Sequence, residues 1–253
     1  MNATEKSEQE AAPEFSELYD EENGEGQSEF AKDYIPLTMF QHSLLTLGTG
    51  LAAFLDPTRA ESIAVFGEVT AGPVLRSIRQ KMLNDPEGSA ILIEKPRINS
   101  KTINLEWLAS LPPDTLGGQY IQFLRKNNVT PDSRLPVRFI ADPELAYVMQ
   151  RYREAHDLFH TITGMPTNML GEVVVKWIEG IQLGLPMCLT GGLFGATRLR
   201  PKQRAKYVST HLNWALQVGF TASPLINIYF ERHWEEPIVD LRQSICPLLN
   251  SPP

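Results

Sequence analysis

The chain has 253 residues, 42% of them hydrophobic and 21% charged, a balance that supports a sizeable folded core and argues against wholesale disorder. Two cysteines, Cys188 and Cys246, exclude a disulfide framework and a cysteine-rich metal cluster. The net charge of −7 resides in the first 33 residues, where eleven acids and two lysines give −9 and leave +2 for residues 34–253.

Residues 1–33 hold four large apolar side chains beyond Met1, namely Phe15, Leu18, Tyr19 and Phe30. These are too few to offset the entropy of ordering the segment, so a disordered acidic tail is expected. No apolar stretch follows a basic start, so no signal peptide is expected. The greasiest run, residues 40–55, is interrupted by Gln41, His42, Ser43, Thr46 and Thr49. A spanning helix needs about 20 predominantly apolar residues, and this run does not supply them.

From residue 34 onward the hydrophobic pattern has helical rather than strand periodicity. Asp85-Pro86, Asn104, Asp114 and Asp142-Pro143 are helix starts, and Gly164 and Gly184 are stops. The predicted helices are 38–55, 59–71, 74–83, 86–94, 104–110, 115–127, 142–163, 168–183 and 201–218, with one or two more between 224 and 245. The fold class is therefore all-α, a single multi-helix domain over 34–253 behind the tail. The proline-rich stretch 128–141 is expected to be an ordered crossing. Residues 184–200, GLPMCLTGGLFGATRLR, read as an apolar, glycine-rich loop: either a buried close-packing turn or a segment that meets something greasy.

The chemistry concentrates in helix 142–163. His156 and His160 are four residues apart, so their imidazoles lie about 40° apart around the helix and about 6 Å apart along it. Both can then reach one ion about 2 Å from each nitrogen. Asp157 shares their arc. The spacing is related to the HExxH helix of metalloproteases, but the residue after the first histidine is Asp, whose shorter arm suits ligation or orientation better than activating a water. After Gly164 a short turn, capped by Thr167 or Asn168, starts an antiparallel helix that brings Glu172 back toward the histidines. His156, Asp157, His160 and Glu172 form a mixed nitrogen and carboxylate set that suits zinc, manganese or ferrous iron. Glu179 lies on the same face as Glu172; it is an exposed carboxylate, a partner behind the ligands or a proton donor. His42, His211 and His233 lack such company and read as surface or hydrogen-bonded histidines.

The HDxxH pattern followed after eleven residues by Glu, within QRYREAHDLFHTITGMPTNMLGEVVVKWIEGIQLGLPMC, closely resembles the fourth protein family of eukaryotic coenzyme Q biosynthesis. DPEGSAILIEKPRI at 85–98, SLPPDTLGGQYIQFL at 110–124 and NIYFERHWEEP at 227–237 extend the resemblance over roughly residues 34–246. The resemblance implies an all-helical protein at the matrix face of the mitochondrial inner membrane, within a complex of other coenzyme Q biosynthesis proteins. It implies removal, with or without oxidation, of the C1 carboxylate from a 4-hydroxy-3-methoxy-5-polyprenylbenzoate. It also implies zinc on His156, Asp157, His160 and Glu172. The acidic residues 1–33 depart from that family, since a mitochondrial presequence is rich in arginine and poor in acids.

For such a substrate, helix 40–55 and the loop 184–197 are the two segments expected to accept the prenyl tail. The cluster Arg198, Arg200, Lys202, Arg204 and Lys206 lies at a helix N-terminus, where cations oppose the macrodipole. It reads either as a solvated basic turn or as a contact for anionic lipid headgroups. It lacks interleaved aromatics, so nucleic acid is not an expected partner. Self-association as a homo-oligomer is compatible with the sequence. A lipid-binding scaffold without catalysis and a metal-dependent hydrolase are the competing functional classes.

Overall fold

A computed structural model describes residues 30, 32–56 and 59–253. Most of the predicted tail, residues 1–29 and 31, lies outside the described residues, so the expected disorder there is not addressed. Phe30 departs from that expectation: it is buried, its ring 6.3 Å from Tyr147, with the Arg97 guanidinium over it at 5.3 Å. The ordered body therefore starts before residue 34.

Eleven α-helices follow among the described residues: α1 Met39–Leu55, α2 Ala60–Leu83, α3 Pro86–Glu94, α4 Leu105–Ser110, α5 Leu116–Asn127, α6 Pro143–Thr163, α7 Met169–Leu183, α8 Pro186–Gly195, α9 Pro201–Lys206, α10 Leu212–Thr221 and α11 Ile238–Ile245. A π-helical stretch, Tyr207–His211, joins α9 to α10. The described residues contain no strand, only an isolated bridge between Thr115 and Pro237.

Local chemistry fixes the helix ends. Thr38 and Gln41 form a capping box on α1, and the side chains of Asp85, Asn104, Asp142 and Asn168 each accept from a backbone N–H of the first turn they precede. Thr115, not Asp114, caps α5; the Asp114 carbonyl instead accepts from Ile238 N–H at 2.8 Å. Gly164 and Gly184 end α6 and α7 at φ 68° and 73°, a conformation costly to other residues.

Two further expectations are corrected. The predicted break between 71 and 74 is absent, and α2 runs through Pro73. Gly72 and Pro73 are exposed, so water can satisfy what the missing proline N–H leaves unpaired. The glycine-rich stretch after Gly184 is helix α8 rather than a loop. Its glycines serve close packing on α7: a Cβ on Gly195 would come within 2.7 Å of Val173, and one on Gly192 within 3.1 Å of the Trp177 ring.

At the centre lies α6, where every residue from Leu145 to Thr163 is buried. Its apolar side chains join a core shared with α2, α3, α5, α7 and the C-terminal segments. Its charged side chains are paired with distant segments: Arg151 with Glu231 at 2.6 Å, Arg153 with Glu68 at 2.7 Å, and Glu154 with Arg97 at 2.8 Å. Glu68 also accepts the backbone N–H groups of Arg138 and Phe139, at 2.8 and 2.7 Å, which orders the proline-rich crossing 128–141 as expected. No helix of the described residues is long and apolar enough to cross a membrane.

Removing Glu68 would strand the Arg153 guanidinium and free the crossing. Glu68→Ala is expected to cost about 3–5 kcal/mol of stability, the range for breaking one partner of a buried pair. Urea denaturation checks this, and a loss below about 1 kcal/mol would show that the pair does not anchor the crossing.

Candidate metal centre

The turn Gly164–Asn168 places α7 beside α6, and Gly171 sets how closely. A Cβ there would fall 1.8 Å from the Pro166 carbonyl oxygen, so a side chain would push the start of α7 away. Glu172 is the next residue. Its carboxylate reaches both histidines, Oε1 lying 3.2 Å from His160 Nε2 and Oε2 lying 3.6 Å from His156 Nε2. One ligand atom from each of these three residues lies within 4.8 Å of the other two.

The opposite ring nitrogens are occupied. His156 Nδ1 is 2.6 Å from Glu179 Oε1, and His160 Nδ1 is 3.1 Å from the Met165 carbonyl. A carbonyl and an ionised carboxylate only accept, so each Nδ1 carries the hydrogen, and in its neutral form each imidazole would present a lone pair at Nε2. In that form two lone pairs and a carboxylate converge, the state that would receive a metal ion, whereas without an ion a proton on either Nε2 would be shared with Glu172. His160 Nε2 is buried and has no hydrogen-bond partner, although Glu172 is close. A divalent cation resolves that arrangement, and two imidazoles with one carboxylate match a zinc set that leaves a position open for water or substrate. The residues fit the ion.

Burial, and Lys176 nearby, oppose charge on His156, yet Glu179 and Glu172 outweigh them and raise its proton affinity. Despite burial, the histidines hold Glu172 well below the usual carboxylate range. The Glu172 side chain is 36% exposed, against 9% and 0% for His156 and His160, so the centre opens on the Glu172 side.

Glu179 is not the exposed carboxylate that was the simplest expectation; it is buried. Besides His156 it accepts from Lys176 Nζ at 2.7 Å and Tyr152 Oη at 2.9 Å, with Cys188 Sγ 3.5 Å away. Burial alone would favour its neutral form, but Lys176 and His156 hold it far below the usual range. In this arrangement it accepts from its neighbours and orients His156. Lys176 is the partner of Glu179 that the sequence reading missed; its position, four residues after Glu172 and three before Glu179, put it on their helix face.

Asp157 stands apart from the three. Its carboxylate accepts from Arg134 of the 128–141 crossing, because the residue after His156 points about 100° further round the helix. Three of the four predicted ligands are therefore gathered, and the fourth is engaged elsewhere. Of the remaining histidines, His42 is exposed, His211 contacts the Lys206 carbonyl, and His233 lies between Glu87 and Glu236.

Glu172 also forms part of the wall of a cavity of about 740 Å³ between α1, α2, α7 and α8. Gly50, Ala53 and Phe54 of α1 and Met187, Gly191 and Phe194 of α8 line it. Both segments expected to accept a tail thus meet at one space. Of the basic cluster, Arg198 lies on this wall, bonded to the carbonyls of Phe54 and Leu55; Arg200, Lys202, Arg204 and Lys206 are exposed.

Fold and site together define an all-helical protein with a buried histidine–carboxylate centre that opens on an apolar cavity. The family model "Coenzyme Q (ubiquinone) biosynthesis protein Coq4" matches residues 32–247, and the chain belongs to that family. Among its relatives, the mitochondrial ubiquinone biosynthesis protein COQ4 homologue of Aedes aegypti is 53% identical over 86% of this chain and 79% of its own. That of Bombyx mori is 53% identical over 86% and 84%. A crystal structure from Nostoc punctiforme, described as a candidate ubiquinone biosynthesis protein, shares the fold at 20% identity, with a TM-score of 0.63 over 83% of this chain and 97% of that one.

Glu179→Gln keeps an acceptor for His156 but removes the charge behind it. Metal affinity is expected to fall about 10- to 100-fold, as for other partners of metal-ligating histidines, while His160→Ala abolishes stoichiometric metal. Chelator competition with elemental analysis reads both, and unchanged affinity in Glu179→Gln would remove Glu179 from the centre.

Proposed function

We propose that this protein removes the C1 carboxylate of a 4-hydroxy-3-methoxy-5-polyprenylbenzoate during ubiquinone biosynthesis, as a metal-dependent carboxy-lyase working beside the other enzymes of the pathway. The observation that carries the reading is the continuity between the cavity and Glu172. A long isoprenoid needs an apolar enclosure, and its aromatic head needs the polar end. At about 740 Å³ the cavity is within the usual range for small-molecule sites. The naming of its relatives as ubiquinone biosynthesis proteins supports a ubiquinone precursor as the substrate.

His156, His160 and Glu172 would hold the metal, zinc by the donor set, with manganese or iron as the other candidates; Asp157 would join them only by giving up Arg134. A bound divalent ion supplies Lewis acidity toward an anionic oxygen of the substrate. The chain's own residues do the rest. Glu179 fixes the tautomer of His156, the α6–α7 hairpin excludes bulk water, and the walls of α1 and α8 hold the tail so that the ring faces the polar end. The net change replaces the carboxylate with a proton at C1 and releases carbon dioxide; an oxidative version would add an oxidant such as dioxygen.

Purified, metal-loaded protein given a short-chain prenylated substrate is expected to release carbon dioxide, with the rate lost in His156→Ala together with the bound metal. Turnover retained without metal would overturn the mechanism. Tight substrate binding without release would favour a lipid-holding scaffold, and ester or peptide cleavage a hydrolase.

The same reading has the protein sit peripherally on the matrix face of the mitochondrial inner membrane; the relatives at about half identity, named mitochondrial, support the organelle. Helix α1 has no buried residue, and Met39, Phe40, Leu44, Leu47 and Leu51 are exposed, as are Leu189 and Leu193 of α8. The basic residues 198–206 sit at the next turn. Apolar side chains flanked by cations suit an anionic bilayer surface, at about 1 kcal/mol per basic residue. Charge reversal at Arg200, Lys202, Arg204 and Lys206 is expected to release the protein from anionic vesicles in flotation; unchanged flotation would remove the cluster from membrane contact.

A further inference from the structure

Among the apolar residues of the cavity wall, α7 contributes two charged side chains, Glu172 and Lys176. Glu172 belongs to the metal centre. Lys176 does not, and an ammonium removed from water needs a reason to be there.

Its surroundings hold it in place. The aliphatic stem lies along Gly191, where a Cβ would come within 3.4 Å of Lys176 Cγ. The ammonium has three N–H donors. One goes to Glu179 Oε2 at 2.7 Å and a second to Tyr152 Oη at 3.0 Å, while the third has no acceptor among the described residues. Glu179 keeps the lysine protonated despite burial. The result is a fixed cation with one free donor, on the wall of the cavity, one helical turn from a metal ligand.

Charge balance points the same way. Glu172 and Glu179 contribute two negative charges, and Arg134 neutralises Asp157. Lys176 with a divalent ion contributes three positive charges. One positive charge would remain around the histidines, to which Arg198 of the same wall adds another, a surplus that favours a monoanion over a neutral ligand. A 4-hydroxybenzoate at neutral pH is such a monoanion, through its carboxylate, and the corresponding phenol without that group is neutral.

We propose that Lys176 donates its free N–H to the carboxylate of the bound polyprenylated benzoate, so that the site holds the acid and releases the neutral phenol. This rests on the reading of the cavity as the substrate site. Lys176 is a substrate-binding residue whose effect ends once the carboxylate has left, which gives the reaction a direction of exchange: anionic lipid in, neutral lipid out.

The test compares two ligands on the metal-loaded protein: a short-chain prenylated 4-hydroxy-3-methoxybenzoate and the matching prenylated methoxyphenol. Wild type is expected to prefer the acid. Lys176→Gln is expected to weaken the acid by about 10- to 100-fold, the range for one hydrogen bond to a charged group, and to change the phenol by less than about threefold. Lys176→Arg restores the charge and most of the preference, and serves if the glutamine variant folds poorly. Metal content is measured on each variant. Equal losses for both ligands would make Lys176 a structural residue, and no loss for either would also overturn the assignment. If wild type binds the acid selectively but releases no carbon dioxide, the lyase reading fails while the Lys176 assignment still stands or falls on the difference between the two ligands.

Discussion

The structure depends on charge pairing around a helix with no solvent face. A helix buried on every side is ordinarily apolar, yet α6 carries Gln150, Arg151, Arg153, Glu154, His156, Asp157 and His160 inside the core. An unpaired charge at such a position costs several kcal/mol, so each must find a partner in whatever packs against it. The partners come from α2, the 94–103 and 128–141 segments, α7 and the C-terminal region: Glu68, Arg97, Arg134, Glu179 and Glu231. The docking of those segments is thereby specified by charge as well as by shape. Two polar atoms on α6 lack a hydrogen-bond partner, Arg151 Nε and His160 Nε2. The first belongs to a guanidinium whose other two nitrogens bond Glu231 and the Ile228 carbonyl. The second faces the Glu172 carboxylate at 3.2 Å, inside the histidine–carboxylate cluster.

Much of this was legible in the sequence because it rests on local rules. Helical spacing put His156 and His160 on one arc, and the short turn after Gly164 brought Glu172 back to them. Caps at Asp85, Asn104, Asp142 and Asn168 marked helix starts that the backbone keeps. What escaped depends on tertiary context. Pro73 reads as a breaker, but on an exposed face its cost is tolerated. Four glycines in residues 184–200 read as a loop because isolated helices disfavour glycine; packing against Trp177 and Val173 reverses that preference. Asp157 looked like a ligand because it shares the arc of His160, and only the placement of Arg134, 23 residues earlier in the chain, shows where its charge goes. Lys176 escaped because a lysine on an amphipathic helix ordinarily faces water.

The two apolar segments that seemed out of place in the sequence explain one another in the fold. Neither α1 nor α8 is a core helix: α1 has no buried residue, and α8 buries only Cys188 and Gly192. Their Phe54 and Phe194 rings meet edge to face at 5.5 Å, and Arg198 ties the α8 end to the last carbonyls of α1. Between them they wall a space that neither could enclose alone, with one side toward the outer surface and the other toward α7. The exposed apolar residues and the apolar cavity wall thus share one pair of helices and make an apolar path beside α7.

Helix α7 then joins that apolar path to the polar centre through spacing alone. Glu172, Lys176 and Glu179 occupy positions i, i+4 and i+7, so they line one face over about 10 Å of helix. Glu172 closes the histidine–carboxylate cluster, Glu179 braces His156 from behind, and Lys176 stands between them. The order matters, because Glu179 contacts both His156 and Lys176 and couples the histidine pair to the cation on the cavity wall. Val173 and Trp177, on the adjoining face, meet the α8 glycines. The same helix thus presents charge in one direction and a close-packed surface in another. Moving any of the three charged residues by one position would turn it about 100° away and separate the histidine pair, its buttress and the cavity.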